Sequence, residues 1–236
     1  MSGEPHPLTP SPLTGREDPR VPDLYVVAER SVFRSDNAWL MAIEAVIGTN
    51  DPGLAVQIRT KAESPERSRA LAIEARRVTR GSRVPLFLNG TTHGAIALGY
   101  EGVHWPEALI HFGPPSPLAE RGLGGGVRAA SVHSPEVAMR AEAAGAHFLV
   151  AGTIFDAGSK DAPGQGLEHL RAIAHATELP VLAIGGITPA RVQACIDAGA
   201  AGVAVVTNVL LAPDIPAAVR DLHEALDAAR AKAGVP

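Results

Sequence analysis

Eight short apolar runs alternate with longer amphipathic stretches along most of this chain, and this alternation constrains its fold more than any other feature. The runs are LYVVAE, LAVQIRT, PLFLNG, GVHW, VRAASVHS, FLVAGTIF, PVLAIGGI and GVAVVT. Apolar runs of this length predict strands buried on both faces, and strands that alternate with helices form a parallel sheet. Eight such units favour closure into a (β/α)8 TIM barrel. We therefore expect one barrel domain over residues 23–232.

Three of the intervening stretches carry signals for the start of a helix. Each has a Ser or Thr at the N-cap and a proline at the first helical position: Ser64-Pro65, Ser134-Pro135 and Thr188-Pro189. Gly145 and Gly199 follow Ala-rich stretches and are expected to end the corresponding helices. The middle of the chain, from Asn89 to Val127, has only short helical patterns and a GLGGG loop, so an open sheet is the alternative there.

Composition limits both the make-up of the core and the classes of ligand that the chain can bind. Hydrophobic residues make up 46% of the chain and aromatic residues only 4%, so the core must consist mainly of Ala, Val, Leu and Ile. The formal net charge is -4, which argues against nucleic acid as a partner and requires that any anion be bound by local geometry. Cys195 is the one cysteine, so disulfides and thiolate metal sites are excluded, and we expect it to be a small buried hydrophobe on a helix.

The first 22 residues are polar and proline-rich, which predicts a disordered tail. They contain no apolar segment typical of a secretory signal, and no stretch of the chain has the roughly 20 apolar residues that span a bilayer. We expect a cytoplasmic protein without a membrane partner. The sequence leaves the oligomeric state open, with a homodimer as one option.

Polar residues at the end of the second run predict part of a binding site. Gln57, Arg59 and Lys61 alternate, so they face one side of the strand, and in a barrel that side is the mouth. The alternative is a solvated edge strand, but a closed barrel has no edges.

A phosphate site is predicted at the seventh and eighth strands. Gly185 and Gly186 end the seventh, and Thr207 follows the eighth, which is where barrels of this class commonly bind phosphate. The alternative for the glycines is a plain tight turn. Lys160, in a loop with Gly and Ser after the sixth strand, would add a mobile cation, so we expect a phosphate or diphosphate ligand.

Ser131 and His133 end the fifth strand two residues apart, which predicts that both point into one cavity. A histidine beside an anion site suits a general acid or base, although a capping or packing role is the alternative. His104, at the end of the fourth strand, carries a weaker signal because Trp105 and Pro106 beside it indicate packing.

Taken together, these motifs resemble those of thiamine phosphate synthases and their sister group TenI, the thiazole tautomerases. The resemblance spans about Leu24 to Leu226. It is carried by QIRTK from Gln57, LFLN from Leu86, GVH from Gly102, SVH from Ser131, AIGGI from Ala183, and Gly199 through Val206.

For a synthase, the resemblance implies a pyrimidine diphosphate held by Gln57, Arg59, Lys61, Asn89 and Lys160. A thiazole phosphate would be held by Gly185, Gly186, Val206 and Thr207. The synthases also use Mg²⁺, bound by an Asp directly after the strand-three Asn and by another Asp after strand four.

This chain departs from the synthase pattern where the metal would bind. Gly90 follows Asn89 in place of the Asp, and Glu107 is the only carboxylate in WPEALIH, the segment after strand four. TenI proteins have Asn-Gly here, and the resemblance then implies His133 as the acid/base, with no metal or other cofactor. We therefore expect a thiazole tautomerase that acts on a thiazole phosphate.

Three alternatives stay open. The first is a Mg²⁺-dependent thiamine-phosphate synthase, which the Gln57, Arg59 and Lys61 cluster favours. The second is a non-catalytic regulatory barrel that binds a phosphate ligand. The third, an isomerase of sugar or indole precursors, fits the strand-two cluster poorly.

Overall fold

The strands of this computed structural model form a closed parallel barrel in chain order, with the last strand paired to the first. The structure describes residues 21–110, 126–156 and 163–233. The strands are β1 (Leu24–Glu29), β2 (Leu54–Arg59), β3 (Leu86–Asn89), β4 (Gly102–Trp105), β5 (Val127–Val132), β6 (Phe148–Gly152), β7 (Val181–Ile184) and β8 (Gly202–Val205). The predicted TIM barrel is confirmed, and the open sheet is excluded.

Helices follow the strands on the outside of the barrel. In the described ranges they are α1 (Asp36–Ile47), α2 (Pro65–Val78), α3 (Thr92–Ala97), α4 (Pro135–Ala143), α5 (Gly166–His175), α6 (Pro189–Asp197), α7 (Thr207–Leu210) and α8 (Ile215–Ala233), with short 3₁₀ turns at Arg30–Val32 and Glu107–Leu109. Ser64 and Ser134 cap α2 and α4 through their side chains, as predicted. Thr188 occupies the N-cap of α6 without a side-chain cap bond. Gly145 and Gly199 have positive φ just beyond α4 and α6, which is the conformation that ends helices.

Three aromatic rings fill the lower half of the barrel interior. Tyr25, Phe87 and Phe148 pack edge to face, with ring centroids 5.3 to 5.6 Å apart. Gly102 leaves the room that they need, since a Cβ there would lie 2.4 Å from the Phe87 ring. The interior is therefore packed below and leaves its upper half for other side chains.

A second apolar layer lies between the sheet and the helices. Trp39 of α1 is fully buried there and donates its indole N–H to the carbonyl of Ala28 at 3.0 Å. Cys195 of α6 is also fully buried, and burial raises the pKa of its thiol to about 12. It is the inert helical hydrophobe that the sequence predicted.

Several predicted features fall outside the described residues, namely the tail up to residue 20, most of the GLGGG loop, and Lys160. Val21, which the sequence placed in the tail, is 4% exposed and packs with the interior aromatic cluster, so the fold begins slightly earlier than predicted. No helix in the described ranges is both long enough and apolar enough to cross a membrane.

The C-terminal helix is tied to the residue just before the first strand by a buried ion pair. Arg230 of α8 contacts Asp23 at 2.5 Å and donates to the carbonyl of Ala201 at 2.8 Å, with the Arg side chain 5% exposed. Removing one partner of a buried ion pair is strongly destabilising, by about 3–5 kcal/mol.

We predict that Arg230→Ala lowers the free energy of unfolding by about that amount, measured by urea denaturation. Arg220→Ala, at an exposed position of the same helix, is the control and should change stability by less than about 0.5 kcal/mol. Equal stability of the two variants would contradict this account of how α8 is held.

Candidate functional site

The side chains that face the barrel interior change from apolar to polar towards the carboxyl ends of the strands. Above the aromatic cluster lie Gln57, Asn89, His104 and Ser131, at the interior-facing positions of four consecutive strands. Because successive residues of a strand face opposite sides, each polar residue lies two positions beyond an interior apolar residue or glycine. This end of a TIM barrel is the one that carries active sites.

Gln57 and Asn89 form an amide pair across neighbouring strands. Gln57 is only 2% exposed, and its Nε2 donates to Oδ1 of Asn89 at 3.4 Å. Gln57 is paired with Phe87 in the register, and Asn89 lies two residues further along β3 on the same face. The pair presents both donors and acceptors to the cavity, a combination suited to a heteroaromatic ring.

Arg59 is held at the mouth by an acidic partner that the sequence analysis did not single out. It forms an ion pair with Glu29, its register partner on β1. Glu29 is 6% exposed and also accepts from the backbone N–H of Ser31 at 3.2 Å. The sequence feature that could have indicated Glu29 is a carboxylate at the end of an otherwise apolar strand. Lys61 lies beyond the end of β2 and is exposed, so it is a cation at the rim.

His104 belongs to the interior of the site, although the sequence pattern pointed more strongly to His133. Its Nε2 lies 2.7 Å from Oγ of Ser131, and its Nδ1 lies 3.4 Å from the hydroxyl of Tyr25, whose ring stacks on the imidazole. Burial lowers the pKa of His104 to about 3, and Arg59 adds to this effect. A neutral imidazole therefore fixes the position of the Ser131 hydroxyl.

Trp105, the sequence neighbour that indicated a packing role for His104, packs on the other side of the strand. It faces away from the interior and donates its indole N–H to Oγ1 of Thr92 on α3 at 3.0 Å. Its packing role says nothing about His104, because adjacent residues of a strand face opposite sides.

His133 lies on the exposed rim and is paired with Glu107, whereas Ser131 is bonded to His104. Its Nδ1 is 2.6 Å from Glu107, which Arg140 also contacts at 3.5 Å, and the side chain is 56% exposed. The His133 carbonyl accepts from Nε2 of His169 at 3.0 Å. A carboxylate that orients an imidazole is common in acid–base sites. The role of His133 as acid/base stays a prediction, as does its action together with Ser131.

Gly185 and Gly186 form a turn that only glycine can occupy. Their φ values are +105° and +61°, and a Cβ would lie 2.4 Å from Thr153 at the first and 2.7 Å from the Asp156 carbonyl at the second. The turn stands at the carboxyl end of β7 and leads into α6. Directly after the neighbouring strand β8, Val206 precedes α7, and Thr207 is the first residue of that helix.

The described residues do not supply the carboxylates of a metal site. No three His, Cys, Asp or Glu side chains within the described ranges gather in a group that could hold an ion. Gly90 has φ +151°, a conformation that an aspartate would rarely adopt. Glu107 has its two oxygens directed at His133 and Arg140.

Comparison with known proteins identifies the family. The profile of the thiamine monophosphate synthase family matches residues 24–209, which is nearly the whole barrel. The chain belongs to the thiamine monophosphate synthase family. The resemblance drawn from the sequence motifs is thus confirmed, and so is the expectation of an enzyme family of thiamine biosynthesis.

Relatives within the thiamine monophosphate synthase family match over almost their full length. The thiamine-phosphate synthase of Methanoregula boonei is 36% identical over 210 residues, covering 88% of this chain and 94% of that protein. That of Methanoculleus marisnigri is 36% identical over 212 residues, covering 89% and 98%. The solved thiamine phosphate pyrophosphorylase of Pyrococcus furiosus superposes with a TM-score of 0.69 at 26% identity, covering 89% of this chain and 97% of that one.

The buried imidazole of His104 leads to a prediction about how the stability of the fold depends on pH. Since the pKa of His104 is about 3 in the folded chain and about 6.5 when unfolded, only the unfolded state takes up this proton between those values. Stability linked to His104 is therefore complete above pH 6.5 and is lost as the pH falls towards 3.

Replacing His104 by Gln removes this linkage. We expect the free energy of unfolding of the unaltered protein to fall between pH 7 and pH 5 by about 2 kcal/mol more than that of His104→Gln, in urea titrations at both pH values. His93→Gln, at an exposed position, is the control and should keep the pH dependence of the unaltered protein. Parallel curves for the unaltered protein and His104→Gln would show that the imidazole is not held neutral.

Proposed function

We propose that this chain is a thiamine-phosphate synthase, which joins hydroxymethylpyrimidine diphosphate to a thiazole phosphate. The observation that carries the proposal is the buried Gln57–Asn89 amide pair with Arg59 above it, because a tautomerase has no pyrimidine diphosphate to bind. The relatives described above, which are named as thiamine-phosphate synthases and a thiamine phosphate pyrophosphorylase, support the same reaction. This proposal reverses the preference for a tautomerase that the sequence alone suggested.

The pyrimidine end of the cavity follows from the amide pair. Gln57 and Asn89 can each donate to a ring nitrogen and accept from an exocyclic amine. Because Gln57 is buried and bonded to Asn89, both amides are oriented before a substrate enters. Arg59 and Lys61 would face the diphosphate, with Lys160 as a further cation from the loop after β6. Glu29 would keep the Arg59 guanidinium at the mouth.

In the proposed reaction, the thiazole nitrogen forms a bond to the methylene carbon of the pyrimidine. The bond from that carbon to the diphosphate oxygen breaks, and the diphosphate leaves with its electron pair. The developing charge on the leaving group is the main electrostatic demand on the site, and cations fixed in advance meet it best. Ser131, held by His104, lies on the interior wall where a hydroxyl could donate to either substrate.

The thiazole phosphate is proposed to bind at the opposite side of the mouth. There the Gly185-Gly186 turn brings the backbone close without side chains, and Val206 and Thr207 begin the short α7. A turn after the seventh strand with a short helix after the eighth is the common phosphate site of TIM barrels.

Mg²⁺, which synthases of this family use, does not fit the residues that the described part of this chain presents. Gly90 replaces one expected ligand, and Glu107 is already engaged by His133 and Arg140. In the proposed reaction the cations of the mouth therefore neutralise the diphosphate.

A thiazole tautomerase is the second candidate. It is favoured by Gly90, which matches the TenI pattern, and by the Glu107–His133 pair, which could move a proton without a cofactor. A phosphate-binding regulatory barrel, the cytoplasmic location and a homodimer stay predictions.

The synthase proposal is tested by supplying both substrates to chelator-treated protein across a series of Mg²⁺ concentrations. We expect thiamine phosphate and diphosphate to appear in equal amounts, measured by chromatography and by an assay of diphosphate release. No product at any Mg²⁺ concentration would contradict the proposal. Isomerisation of the carboxythiazole phosphate, abolished in His133→Ala, would then establish the tautomerase instead.

The assignment of Arg59 gives a separate prediction. Arg59→Gln should raise KM for the pyrimidine diphosphate about tenfold or more, since it removes a charge-assisted contact of roughly 1.5–3 kcal/mol. Arg83→Gln, at an exposed position before the amino end of β3 and so at the end of the barrel opposite the mouth, is the control. An unchanged KM in Arg59→Gln would remove this residue from the diphosphate site.

A further inference from the structure

Arg191, in the first turn of α6, links two of the loops that form the mouth. One of its guanidinium nitrogens donates to the carbonyl of Gly186 at 2.6 Å. Its Cζ lies 4.7 Å from the centroid of the Phe155 ring, in the loop after β6. A single side chain thus contacts both the glycine turn after β7 and the segment that precedes it in the barrel.

The turn that Arg191 contacts is closely packed on its other sides. The backbone N–H of Phe155 donates to the carbonyl of Gly185 at 3.1 Å, and that of Ile154 donates to Ile184 at 2.9 Å. A Cβ at Gly186 would lie 2.7 Å from the carbonyl of Asp156 and 3.0 Å from the Arg191 guanidinium. The loops after β6 and β7 therefore form one packed unit, and Arg191 closes it on the solvent side, where its side chain is exposed.

The chemistry of the contact requires an arginine. A guanidinium can stack its plane on an aromatic ring while its edge donates hydrogen bonds, which the compact ammonium of a lysine cannot do. The same group places a permanent positive charge next to the carbonyl of the turn. That charge favours an anion at the turn, and the two contacts restrict the turn to one conformation.

We propose that Arg191 is a positioning residue that determines affinity for the phosphate of the thiazole substrate. It holds the Gly185-Gly186 turn against Phe155 and adds its charge beside it. The inference rests on the proposed function for the location of the phosphate, but it concerns binding and does not require turnover.

The test compares Arg191→Gln and Arg191→Lys with the unaltered protein. Calorimetry gives the Kd for thiazole phosphate and for the same thiazole alcohol without its phosphate, and kinetics give KM and kcat. We expect Arg191→Gln to weaken thiazole phosphate about tenfold while changing the alcohol and the KM of the pyrimidine diphosphate less than about twofold. Arg191→Lys should recover part of the loss, because it restores the charge but not the stacking.

The control is Arg220→Gln, an exposed arginine of α8, which should leave both Kd values unchanged. Equal affinity of Arg191→Gln and the unaltered protein for thiazole phosphate would overturn the inference. So would equal losses for the phosphate and the alcohol, since these indicate a merely structural role. If no thiamine phosphate forms but the phosphate preference still depends on Arg191, the proposed synthase function fails and this inference stands.

Discussion

The closed hydrogen-bonded barrel is the constraint on which the rest of the molecule depends. Closure fixes which residues of each strand face inwards, and the period of two then sorts every strand into a lining and an outer face. At the bottom, Tyr25, Phe87 and Phe148 fill the interior. The site can be polar only above them, because a polar side chain lower down would lose its hydration without gaining a partner.

Each polar group of the upper interior is accordingly held by another. Gln57 bonds to Asn89, His104 to Ser131, and Arg59 to Glu29, so most of these side chains are oriented without a ligand. Because Glu29 balances Arg59 locally, cations at the mouth are compatible with a chain whose net charge is -4. An anion would be attracted by the local arrangement and not by the overall field, which falls off over about 10 Å at moderate salt.

Sequence reasoning recovered the features that depend on local pattern. The eight strands, the caps at Ser64 and Ser134 and the helix-ending glycines were all predicted, since each follows from periodicity or from neighbouring residues. The pairings Glu29–Arg59 and Arg191–Phe155 were not, because they join separate segments. The sequence pattern indicated too little for His104 for a related reason: its sequence neighbour Trp105 packs outwards, whereas its hydrogen-bond partner Ser131 is 27 residues away.

Position 90 shows how backbone conformation and chemistry are connected in this family. The φ of +151° suits glycine, so an aspartate there would need a different path for the chain between β3 and α3. A glycine at this position therefore differs from the aspartate of the synthase pattern in backbone freedom as well as in the missing carboxylate. At the neighbouring rim, Glu107 binds His133 and Arg140, which satisfies its charge within the protein. Under the proposed synthase function, both features leave the neutralisation of a diphosphate to arginine and lysine.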